Sequence, residues 1–99
     1  MQDAYVYENR INKTRAVGIK LTKQTYSVVQ EWTGAKKLTH MRLSIKTPHG
    51  LFVARYGDIV VKNELGQLFI VIRDHKKLDE KFAILYRCLG ESRDYNYFH

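Results

Sequence analysis

Disulfides, prolines and long apolar runs are all but missing from this chain of 99 residues. Its one cysteine, Cys88, cannot form an internal bridge, and so small a chain without a disulfide framework is expected inside the cell. One proline and six glycines exclude collagen-like and linker-type chains. No apolar run approaches the roughly 18–20 residues that cross a bilayer, and the polar start MQDAYVYENR is no signal peptide. A cytoplasmic protein without membrane contact is the expectation. Recognisable chemistry is equally sparse. There is no glycine-rich phosphate loop, no nucleophile elbow and no helical His-Glu-x-x-His. His40, His49, His75 and His99 show no metal-ligand spacing, and no second cysteine completes a zinc pattern. No catalytic residue, metal or cofactor is therefore expected.

Acid is the other scarcity. The chain sets 10 Asp+Glu against 17 Lys+Arg, a formal net charge of +7. Residues 1–50 hold nine of the cations and three acids (Asp3, Glu8, Glu31), so the first half carries +6 of the +7. Between Asn9 and Arg55 the sole acid is Glu31. Such a field favours phosphate-rich ligands, an anionic surface or an acidic protein, and it serves solubility in any case. The remaining composition, 44% hydrophobic and 27% charged, is that of a globular domain rather than a disordered chain. The length allows one domain over residues 1–99.

Residues 1–9 read as an N-terminal arm or edge strand. Val17-Gly18-Ile19-Lys20-Leu21 alternates as a strand. Thr22 is placed to cap a helix over about residues 23–33, where Tyr26, Val29 and Trp32 share a face that Val28 widens. Gly34 suits the left-handed position after it. Met41, Leu43 and Ile45 then alternate with Arg42, Ser44 and Lys46, and Thr47-Pro48-His49-Gly50 turns the chain back, giving a hairpin over residues 41–55. Tyr56-Gly57-Asp58 turns into a second hairpin over residues 59–73, whose last strand is apolar on both faces, as a central strand would be. Leu43, Ile45, Ile59, Val61, Leu68 and Ile70 are expected in the core. A short helix is expected near Asp79, residues 82–89 fit either helix or strand, and residues 91–99 form a polar tail holding Tyr95, Tyr97 and Phe98. The whole predicts an α+β fold: a small, mostly antiparallel curved sheet with one main helix packed on it.

Three groups of residues are candidates for function. Gly57-Asp58 reads first as turn chemistry, with Gly57 at positive φ and the Asp58 carboxylate accepting from amides of its own turn; a hydrolytic Asp58 with a histidine is the weaker alternative. Arg42 and Lys46 project away from Leu43 and Ile45, and with Lys36, Lys37 and Arg55 they can form a basic stripe for a phosphate or a partner. Tyr56, His40 and His49 could add stacking surfaces, and the two histidines could approach each other across the hairpin. The plainer reading of the stripe is a solvated face that protects an edge. Tyr95, Tyr97 and Phe98 read as anchors for a partner or a second copy of the chain, a homodimer being one outcome. Cys88 reads as a small buried hydrophobe.

The stretch from about residue 17 to residue 86 resembles a group of short proteins of unassigned function, encoded mainly by bacteriophages and prophages; Val17–Leu21 and the helix ending Trp32-Thr33-Gly34 fit their opening more loosely, and the closer match runs from Leu43 to Tyr86. Ala54-Arg55-Tyr56-Gly57-Asp58-Ile59-Val60-Val61 is similar to their Pro-Gly-Asp turn and following strand, with Tyr56 in place of the proline. Leu65-Gly66-Gln67-Leu68-Phe69 is similar to their next turn and strand, and Phe82 and Tyr86 sit like their closing aromatic pair. The resemblance implies a phage or prophage source and a bacterial host cytoplasm. It implies no mechanism, because the shared residues are turn and core residues. The expected function is a non-enzymatic, phage-encoded binding protein that acts in host takeover or counter-defence by blocking a host or defence component. The alternative is a nucleic-acid- or nucleotide-binding accessory protein that uses the basic stripe.

Overall fold

β-branched and aromatic residues alternating with polar ones form strands because a pleated chain can then bury one face at a time. The computed structural model describes residues 3–63 and 69–88, the last three by backbone path alone. In chain order the elements are β1 (Ala4–Asn9), β2 (Arg15–Lys20), α1 (Tyr26–Thr33), β3 (Lys36–Leu38), β4 (Arg42–Thr47), β5 (Gly50–Ala54), β6 (Ile59–Asn63), β7 (Phe69–Ile72), α2 (His75–Lys81) and β8 (Phe82–Cys88). The α+β architecture read from the sequence holds, and each strand pair is antiparallel. The strands divide between a five-stranded sheet, in the order β7-β6-β2-β1-β8, and a three-stranded sheet, β3-β4-β5. The two expected hairpins thus fall in different sheets.

The larger sheet is covered on both faces. One face carries Ala4, Val6, Ile19, Val60 and Phe69, which pack with Tyr26 and Val29 of α1 and with Leu43, Ile45 and Ala54 from the inner face of the small sheet. The other face carries Tyr7, Ala16, Ile59 and Val61, which pack with Leu78 of α2 and with Phe82. The period of two along each strand explains this division. Tyr7 leans across β2, where a methyl group on Gly18 would come within 2.6 Å of its ring. Gly18 is therefore a packing glycine.

Several local expectations change. Of the expected N-terminal arm or edge strand over residues 1–9, the described part is neither: β1 lies between β2 and β8, because β8 is a strand and supplies its second partner. Thr22 does not cap the helix. Its amide donates to Thr25 Oγ1 at 2.8 Å, its own Oγ1 accepts from the Thr25 amide at 3.2 Å, and Thr25 Oγ1 donates to the Lys20 carbonyl at 2.6 Å. This closed turn occupies residues 22–25 and delays α1 to Tyr26. Gly34 does take the left-handed position, at φ 67°, with its amide donating to the Gln30 carbonyl. The second helix starts at His75 instead of near Asp79, because Asp74 accepts from the Lys76 amide as its N-cap. β7 is an outer strand of its sheet. Its apolar residues on both faces reflect layers above and below, and Ile70 is half-buried rather than core. Leu43, Ile45, Ile59 and Val61 are buried as expected, while Leu68 lies outside the described residues.

Candidate binding surface

The inner face of β3-β4-β5 is committed to the core, so its outer face is what the small sheet offers to solvent. The register sets its composition. Lys36 lies across from Ser44 and Leu38 across from Arg42, while Ser44 faces Val53 and Lys46 faces Leu51. Residues directly opposite on antiparallel strands share a face. Arg55 lies one step past the last paired rung, Leu43 with Ala54, and alternation brings it to the level of Arg42 on the same side. Lys36, Arg42, Lys46 and Arg55 are all exposed. The structure therefore brings together four of the five cations picked from sequence. Lys37 is exposed but lies across from the buried Leu43, so it belongs to the other side of the edge strand β3.

Aliphatic groups between these cations were not anticipated. Leu51 is 76% exposed and Val53 45%, and Leu38 is half-buried on β3, across from Arg42. The face holds no acid and no aromatic ring on its strand positions. The signal lay in the return strand's alternation, but only the pairing register decides which of Leu51 and Phe52 faces outward. Phe52 turns inward, and its ring lies under the Arg73 guanidinium, 5.1 Å from its centroid.

The loop that leads into this face is strained. His40 (φ 59°) and Met41 (φ 57°) are consecutive non-glycine residues in the left-handed region, a conformation that costs L-residues roughly 1–2 kcal/mol each. Met41 is accordingly exposed and outside β4, against the alternation that grouped it with Leu43. His40 stands before β4 and His49 in the turn after it, so the two histidines mark opposite ends of the strand instead of meeting. Among the described residues no three His, Cys, Asp or Glu groups converge as metal ligands.

Gly57-Asp58 marks the crossing from the small sheet to the large one. Gly57 has φ 98°, and its amide donates to the Leu21 carbonyl while the Leu21 amide donates to the Asp58 carbonyl, both at 2.8 Å. Asp58 is 2% exposed. Its Oδ2 accepts from the Arg55 amide at 3.0 Å, as turn chemistry requires. Arg73 adds a second clamp, donating from Nε to Oδ1 at 3.1 Å and from Nη2 to Oδ2 at 3.0 Å. These hydrogen bonds raise the Arg73 guanidinium above its usual range. Three structural donors therefore hold a carboxylate that is almost wholly buried, as a turn-fixing role requires. Tyr95, Tyr97 and Phe98 lie outside the described residues, as does the side chain of Cys88. Comparison of the chain with protein-family models, with curated proteins and with solved structures finds no match.

Proposed function

We propose that the chain is a non-enzymatic binding protein that docks through the outer face of β3-β4-β5 onto an acidic, partly apolar surface of another protein. The observation that carries this reading is the face itself: four exposed cations, no acid, and Leu51 and Val53 held out to water among them. Cations alone would serve solubility or phosphate contact. Exposed aliphatic residues in register with them favour a protein partner, because a nucleic-acid platform uses aromatic rings for base stacking. In the phage setting that the family resemblance implies, the partner is a host or defence component, and occupancy of its surface blocks it.

The test uses the whole chain as bait in a lysate of infected bacteria. Wild type should retain a defined protein after nuclease treatment. Retention should fall with Arg42→Glu and Lys46→Glu, and also with Leu51→Asp and Val53→Asp, which remove no positive charge. Capture abolished by nuclease would replace this reading with the nucleic-acid one.

A further inference from the structure

A cleft of about 280 Å³ opens between β5, β7 and α2, away from the outer face just described. Its apolar lining comes from Phe52, Val71 and Ile72, the last two on opposite faces of the outer strand β7. Its rim is cationic, made by Arg73, Lys77 and Lys81. Arg73 is held by Asp58, by the ring of Phe52 and by the Val53 carbonyl, to which its Nη2 donates at 3.0 Å. It forms a fixed wall. Asp74, the acid at the mouth, accepts from the Lys76 amide with Oδ1 as the cap of α2. Lys77 and Lys81 are exposed, and among the described residues neither pairs with a carboxylate. They stand four apart on one helix, where like charges repel. An anion between them would relieve that repulsion.

We infer that this cleft binds a small phosphate-bearing molecule with a single ring. The ring would rest against Phe52, and the phosphate would sit between the ammonium groups of Lys77 and Lys81. The cleft has room for one ring and one phosphate. The chemistry also fits the usual build of ligand sites, an apolar hollow with a few placed polar groups. This site is independent of the sheet face and would stand or fall without it.

Phenyl phosphate and inorganic phosphate are the probes, followed by calorimetry and by amide shifts in a labelled sample. Phenyl phosphate should bind saturably and shift the amides of residues 71–78. Lys77→Glu with Lys81→Glu should weaken it by about tenfold or more, the loss of charge-assisted contacts worth a decade in affinity. Arg42→Glu with Lys46→Glu should leave it unchanged. Phe52→Ala should weaken phenyl phosphate but not inorganic phosphate, and Phe52→Leu serves where the alanine variant melts early. Absence of saturable binding would overturn the inference. So would binding that survives the lysine reversals or that is lost with Arg42 and Lys46. A phosphotyrosyl peptide bound far more tightly than phenyl phosphate would overturn the small-molecule assignment.

Discussion

Asp58 shows how one residue can join two sheets. Its carboxylate is buried and receives the Arg55 amide on one side and the Arg73 guanidinium on the other. Replacing it with Asn keeps the volume but removes the charge and one acceptor oxygen. Since Arg73 is about half exposed, with a side-chain exposure of 45%, the expected cost is about 1–3 kcal/mol rather than that of a fully buried pair. Urea denaturation measures it; an unchanged midpoint would show that the turn does not depend on the carboxylate. Tyr7 is the second informative residue. Burial first, then the neighbouring charges of Tyr5 and Asp79, raise its phenol above the ordinary value of 10.0. Below that pH both folded and unfolded chains hold the proton, and the contribution to stability is complete. Above it the unfolded chain ionises while the folded one does not, so stability falls by up to about 1.4 kcal/mol per pH unit until the folded phenol also titrates. Tyr7→Phe should make the alkaline loss of stability visibly shallower. Equal slopes for the two proteins above pH 10.0 would contradict the burial of that side chain.

At the scale of elements, the loop between β3 and β4 is where stability and function separate most clearly. Glycine accepts positive φ without the Cβ clash. His40→Gly together with Met41→Gly should therefore raise stability by about 1 kcal/mol or more, read as a higher melting temperature. Partner capture should drop at the same time, because the loop fixes the approach to Arg42 and Met41 is itself exposed beside it. A variant that gains stability and keeps full capture would remove the loop from the binding surface. The same region shows what can be read from the chain alone. Strand periods, the Thr47–Gly50 turn and the outward row of Arg42 and Lys46 follow from alternation and turn chemistry. The exposure of Leu51 and Val53 depends on register, the inner position of β1 on a strand more than 70 residues away, and the Arg73 clamp on a contact 15 residues long. Such long-range pairings leave no periodic mark on the sequence. The delayed start of α1 had a local cause, the Thr22–Thr25 exchange, but two threonines three apart signal a cap as readily as a turn.

Across the whole molecule, the large sheet spends both faces on cores, while the small sheet spends one and leaves one open. Three of the nine cations of the first half, Lys36, Arg42 and Lys46, lie on this open face, joined by Arg55 from the start of the second half. Charge brought to one face should act differently from the same charge spread over the surface. The most direct test compares two double reversals with equal effect on net charge: Arg42→Glu with Lys46→Glu on the open face, and Lys23→Glu with Lys76→Glu, both exposed, elsewhere. Affinity for the captured protein is measured for each at two salt concentrations. The open-face pair should lose binding and most of its salt dependence, while the distant pair should bind nearly as wild type does. Equal losses in both would contradict the assignment of the β3-β4-β5 face as the binding surface, and would reduce its cations to a general contribution to charge.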